Sequence, residues 1–216
     1  MKLYFSPMAG SLAVRIALYE AGLEATFHEV ARKTKALEDG RDYRELHPLG
    51  LVPLLELDDG QRLTELTAIL GHLAALRPTT ARSGNGDWER VRLTEALAFV
   101  ATELHKGTFF PLFDRNASAA VREYAATHGE ARLTRLQAQL EGRTWMLDDF
   151  GVADAYLLTV LSWCVATPIP LERWPTLLAY LKRGLKRPAV ARAISEEKAL
   201  FVDALARGGE ALPAAV

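Results

Sequence analysis

A proline at the mouth of a short apolar run, Val52-Pro53-Leu54-Leu55-Glu56-Leu57, limits what this chain can fold into more than any other feature. Proline has no backbone N–H to give to a sheet, so Pro53 marks the first residue of a strand rather than its interior. Asp58-Asp59-Gly60 follows as a turn, because glycine accepts positive φ and aspartate bonds its own backbone. A second short strand then leads into a helix over 65–76, which opens on Glu65 beside the free N–H groups of its first turn. A backbone edge at Val52 next to that carboxylate suits a small peptide-like ligand bearing both an ammonium and a carboxylate.

The flanking segments build a layer around this unit. Leu3-Tyr4-Phe5 reads as a strand ended by Ser6-Pro7. Ser11 stands where it can cap a helix with Leu12, Ile16 and Tyr19 on its apolar face, and Gly22 ends that helix. Thr26-Phe27-His28-Glu29-Val30 alternates as a second strand. A crossover helix makes the first strand pair parallel, and the tight turn at 58–61 makes the second antiparallel. Residues 1–78 therefore predict an α/β thioredoxin-like domain. Residues 79–87 are polar and rich in Gly and Ser, as a linker is. From 88 to 216 no strand pattern appears, and helical patterns cover 88–106, 118–141, 152–166, 174–186 and 188–206. The second domain is expected to be all-helical.

Lys plus Arg number 26 against 27 Asp plus Glu, so no basic field exists to bind nucleic acid or an anionic membrane. The apolar run 155–166 is shorter than the roughly 20 residues that span a bilayer. No secretory leader is visible, and a cytoplasmic location is expected. Cys164 is the one cysteine, which excludes an internal disulfide; its apolar neighbours predict a buried side chain. His28, His47, His72 and His128 lie at no ligand spacing, and no metal is expected.

Three segments carry a family resemblance. They are the opening Met1-Lys2-Leu3-Tyr4-Phe5-Ser6-Pro7-Met8-Ala9-Gly10-Ser11, the stretch from Glu38 to Tyr43 with His47-Pro48-Leu49-Gly50-Leu51-Val52-Pro53, and Ala101-Thr102-Glu103-Leu104-His105-Lys106-Gly107. With Phe150-Gly151-Val152-Ala153-Asp154 they make the whole chain resemble a bacterial beta-class cytosolic glutathione transferase. The resemblance implies a homodimer with glutathione as co-substrate and a cis Val52-Pro53 bond. It implies that Val52 pairs with the cysteinyl backbone, Glu65 takes the glutamyl ammonium, and N–H groups at Leu66 and Thr67 take its carboxylate. Lys35 would hold the glycyl carboxylate, and Thr102 and Glu103 count among the binding residues.

The chain departs from that class at four places. Gly10 stands where a cysteine is usual, so Ser11 becomes the hydroxyl candidate to donate to the thiolate, against the alternative that it only caps the helix. Leu66 replaces Ser or Gly, which removes a donor and sets a bulky group towards the glutamyl carboxylate. Ala98 replaces asparagine, and Gly151 a capping hydroxyl. His105 and Lys106 remain, and a lysine ammonium and an imidazole near the sulfur would both favour thiolate over thiol. Met8, Phe109, Phe110, Phe113 and Trp163 are expected to line an apolar site for a small electrophilic substrate. The implied function is conjugation of glutathione to such compounds, in detoxification; the alternative is a non-catalytic homologue that binds another ligand or protein.

Overall fold

A computed structural model describes residues 1–76 and 87–206. Strands β1 (Lys2–Phe5), β2 (Thr26–Glu29), β3 (Leu54–Glu56) and β4 (Arg62–Leu63) form one sheet in the order β2-β1-β3-β4. β1 runs parallel to β2 and antiparallel to β3, which is antiparallel to β4. Helix α1 (Leu12–Ala21) is the crossover that permits the parallel pair. Side chains alternate across the sheet. Leu3, Phe5 and Leu55 face α1 and α2 (Leu66–Leu76), while Tyr4 and Leu54 pack with Val30, Leu37 and Tyr43 on the other face. Gly22 ends α1 in the left-handed region at φ 62°, with the Leu23 N–H returning to the Leu18 carbonyl at 3.0 Å.

From Asp87 onward every described element is helical: α3 (Asp87–Phe99), a π-helix (Val100–Phe109), α4 (Phe110–Phe113), α5 (Ala119–Leu140), α6 (Val152–Ser162), α7 (Pro175–Leu185) and α8 (Pro188–Ala206). A thioredoxin-like mixed sheet followed by a helical bundle is the fold class that the sequence predicts. The expected linker lies outside the described residues except for Asp87, which is the first residue of α3. α1 packs on α6 and α8, so the two halves share one apolar core containing Leu12, Ile16, Ile69, Leu157 and Val190.

The helix expected over 88–106 differs in kind. It widens at Val100 into a π-helix and continues into α4. The Phe110 N–H donates to the His105 carbonyl, and the Thr108 hydroxyl donates to the Glu103 carbonyl at 2.8 Å, both five residues back. Gly107 leaves room for this turn, since a Cβ there would meet the Thr102 carbonyl oxygen at 2.7 Å. Thr108 also sits against Gly129 of α5, where an added Cβ would lie 2.3 Å from Thr108 Cγ2. A π-turn is frequent at functional sites, and this one carries His105 and Lys106.

The N-terminus of α6 is held by Asp154 rather than by residue 151, which has no side chain. Asp154 is buried and accepts the N–H groups of Met146 at 2.8 Å and Gly151 at 2.9 Å, together with the Tyr180 hydroxyl. Glycine is a tolerable N-cap, so the loss at 151 is small.

Candidate active site

The candidate site is built around the loop between β1 and α1. Met8 holds φ 60°, an uncommon conformation for a residue with a side chain. Two partners from the helical half hold it there: its N–H donates to Glu197 Oε2 at 2.7 Å, and its carbonyl accepts Trp163 Nε1 at 3.0 Å. The Arg32 guanidinium donates to the Pro7 carbonyl beside it. Glu197 is fully buried and lies 3.0 Å from Arg15 Nε in an ion pair, at an angle outside hydrogen-bond geometry. Burial raises the Glu197 carboxyl well above its ordinary range, while Arg15 and the Met8 N–H oppose the rise. None of these partners was visible in the sequence; a glutamate pair inside the apolar pattern of α8 was the only signal.

Ser11 is a correction. Its side chain is wholly buried, and its hydroxyl donates to the Ser6 carbonyl at 3.2 Å and accepts the Ser6 N–H at 3.3 Å. It neither caps α1 nor faces the cleft, because the β1–α1 loop folds back over it. The Gly10 and Ser11 N–H groups, in contrast, donate to no backbone carbonyl among the described residues.

Gly10, Leu66 and His105 meet. A Cβ built on Gly10 would lie 3.0 Å from His105 Cε1 and 3.3 Å from Leu66 Cδ2. Leu66 is 8% exposed, so its side chain turns inward rather than outward towards a ligand carboxylate, contrary to the sequence expectation. His105 Nδ1 lies 2.7 Å from the Tyr156 hydroxyl, and its ring packs edge-on against Trp163 at 4.9 Å. Burial, helped by the charge on Lys106, lowers the His105 pKa to about 3, so the imidazole is neutral at ordinary pH. Of the expected ammonium and imidazole, only Lys106 carries charge.

Lys106 extends over the Phe110 ring at 4.6 Å. Burial lowers its pKa, and the field of Glu65 acts the other way, which puts the two opposite charges near each other. Glu65 is exposed at φ 62°, immediately before α2, whose first N–H groups at Leu66 and Thr67 find no carbonyl among the described residues. Val52 precedes Pro53 through a cis bond, and neither its N–H nor its carbonyl has a backbone partner there. Lys35, half-buried at φ 61°, has its pKa lowered by burial and by Arg32 and Arg44. Lys35 thus sits in a local patch of positive charge.

Other expected residues fall elsewhere. Glu103 turns to α5 and accepts Arg132 Nε at 2.8 Å, while the exposed Thr102 donates its hydroxyl to the Ala98 carbonyl at 2.9 Å. Phe109, Phe113 and Trp163 are buried against one another with ring centroids 5.8–6.3 Å apart, so they are core and not a substrate wall. Of the expected apolar lining only Met8 and Phe110 stay partly open. Cys164 is buried and its thiol is pushed up to about 12, as its apolar neighbours predict.

The sequence profile of the glutathione S-transferase N-terminal domain matches residues 6–76. The chain is 38% identical over 205 residues to glutathione S-transferase GstA of Escherichia coli O157:H7, covering 91% of this chain and 98% of that protein. A sphingomonad glutathione S-transferase solved with glutathione superposes with a TM-score of 0.87 at 37% identity, over 92% of this chain and 99% of its own. A bacterial beta-class enzyme of Sphingomonas chungbukensis gives 0.86 at 38% identity, over 91% and 98% of the two chains. On sequence and fold together, the chain belongs to the glutathione S-transferase family of transferases, as a bacterial beta-class-like member.

Proposed function

We propose that this protein binds glutathione, stabilises its thiolate and adds it to small electrophiles, acting as a cytoplasmic homodimer. The observation that carries the reading is a set of three features: an acid beside free N–H groups, an unpaired backbone edge and a basic cluster. Glu65 and the free N–H groups of α2 suit an ammonium and a carboxylate at one end. The unpaired Val52 backbone suits an extended peptide in the middle. Lys35, flanked by Arg32 and Arg44, suits a carboxylate at the other end.

The sulfur would lie near Gly10, where the free N–H groups at the start of α1 and the Lys106 ammonium favour an anion. A neutral His105 adds no charge, and the Ser11 hydroxyl is already engaged. Leu66 offers no side-chain hydroxyl to the glutamyl carboxylate. One such bond to a charged group is worth about 1.5–3 kcal/mol, a roughly tenfold to hundredfold weakening of binding. Trp88 and Val91 of α3 and Leu76 of α2 are exposed apolar groups that a second copy of the chain would cover.

Calorimetric titration with glutathione tests the reading. The wild type is expected to bind, and Glu65→Ala and Lys35→Ala each to bind at least tenfold more weakly. The closed sulfur end, with Ser11 and His105 both withdrawn, favours a second reading in which the protein binds without catalysing. Binding with no conjugation of any reactive halide or epoxide would select that second reading.

A further inference from the structure

We infer that Gly10 and Leu66 are one exchange pair, and that Leu66 is the specificity-determining residue of the sulfur end. Its side chain holds the space that a side chain at position 10 would need. The identity of this end as the sulfur's rests on the glutathione reading above; the packing relationship does not.

Three observations carry the inference. The first is distance. A Cβ at residue 10 would start 3.3 Å from Leu66 Cδ2 and 3.0 Å from His105 Cε1, closer than carbon atoms pack comfortably. The Cβ alone requires these neighbours to give by a few tenths of an ångström.

The second is which neighbour can move. His105 is fixed by the Tyr156 hydroxyl at 2.7 Å and by Trp163, which is itself tied to the Met8 carbonyl. Leu66 is an unbranched-at-Cβ side chain in the first turn of α2, with no polar tie. Leu66 therefore yields and His105 does not.

The third is an unpaired donor. Tyr156 is buried and its hydroxyl pairs with His105, so two tautomers must be weighed. If Tyr156 accepted from Nδ1–H, its own O–H and the lone pair on Nε2 would both be unpaired. If Tyr156 donates, a single group is unpaired, the Nε2–H, and Nε2 is indeed buried without a partner. Cε1, the ring carbon flanked by both nitrogens, is the atom that abuts the contact between positions 10 and 66. The ring nitrogen next to that contact is Nδ1 at 3.7 Å, so a shift of the ring would disturb its bond to Tyr156.

The consequence is a restriction on chemistry. Position 10 carries no thiol, Leu66 crowds any side chain placed there, and Cys164 is buried. The site is committed to reactions of the ligand's own sulfur, and enzyme-linked mixed disulfides are excluded.

The test uses five full-length proteins: wild type, Gly10→Cys, Leu66→Ser, the double variant, and Gly10→Ala as a thiol-free control. Unfolding midpoints and the rate at which iodoacetamide alkylates the introduced thiol need no glutathione, so they remain informative even if glutathione does not bind. Gly10→Cys and Gly10→Ala should both lower the midpoint, and Leu66→Ser should recover part of that loss in the double variant, the 3.0 Å contact with His105 remaining. Alkylation should be at least tenfold faster in the double variant than in Gly10→Cys. Where glutathione binds, its disulfide should also react. The introduced thiolate then displaces one glutathione thiolate and leaves one mixed disulfide, again at least tenfold faster in the double variant. Additive midpoints, or equal alkylation rates in the single and double variants, would overturn the pair.

Discussion

The Glu197 carboxylate accepts the N–H of Met8 at 2.7 Å, across 189 residues of chain. One buried acid from the last described helix thus sets the backbone of the loop that precedes Gly10, and Arg15 of α1 supplies its counter-charge. Arg15 is itself held between Phe5 at 4.4 Å, Phe27 at 4.0 Å and the Glu196 carboxylate at 3.0 Å.

Removing one partner of this pair should cost more than removing both. Glu197→Leu leaves a buried guanidinium and a free Met8 N–H, and is expected to destabilise by about 3–5 kcal/mol. Combining Glu197→Leu with Arg15→Met should cost less than that, and Glu197→Gln, which keeps an acceptor for Met8, least of all. Denaturant unfolding of these variants, together with Arg15→Met alone and the wild type, reads the coupling directly; an additive cycle would contradict it.

Close approach at Gly129 supports the π-helix. Gly129→Ala brings a methyl to 2.3 Å from Thr108 Cγ2, and overpacking of this kind costs about 1–3 kcal/mol. Thr108→Ser removes that methyl and should recover most of the loss. A Gly129→Ala protein as stable as the wild type would show that the π-helix tolerates displacement.

Two buried groups make opposite contributions to the pH dependence of stability. His105 is lowered to about 3 by burial, so between pH 6.5 and 3 the unfolded chain binds a proton that the native chain refuses. Its share of stability is complete above pH 6.5 and is lost as pH falls towards 3. Asp154 is raised to about 6 by burial, against the hydrogen bonds it accepts. Its share is complete below pH 3.8 and is lost as pH rises through about 6. Imidazole NMR signals of His105 should show no titration between about pH 5 and pH 9; a midpoint near the ordinary histidine value would contradict the buried neutral ring.

Much of the fold was legible because its signals are local. Pro53 at a strand entry, the Asp59-Gly60 turn and Gly22 after a helical run each act on their own neighbours. The site was less legible because its decisive contacts are distant. Tyr156 and His105 are 51 residues apart, and nothing in either segment announces the bond. Ser11 had the right neighbours for a cap, yet Ser6 took its hydroxyl once the loop folded back. The inward turn of Leu66 depends on the vacancy at Gly10, two departures that looked independent in the sequence. The π-helix hid behind ordinary helical spacing, since Gly107 and Gly129 matter only against their packing partners.

On the proposed function, the cleft holds glutathione as its thiolate, with Lys106 and the start of α1 supplying the stabilisation. The direct measurement is thiolate absorbance of the protein–glutathione complex as a function of pH. A midpoint about one unit or more below that of free glutathione is predicted, moving back up in Lys106→Ala and most strongly at low ionic strength. A wild-type titration that superimposes on free glutathione would contradict the claim.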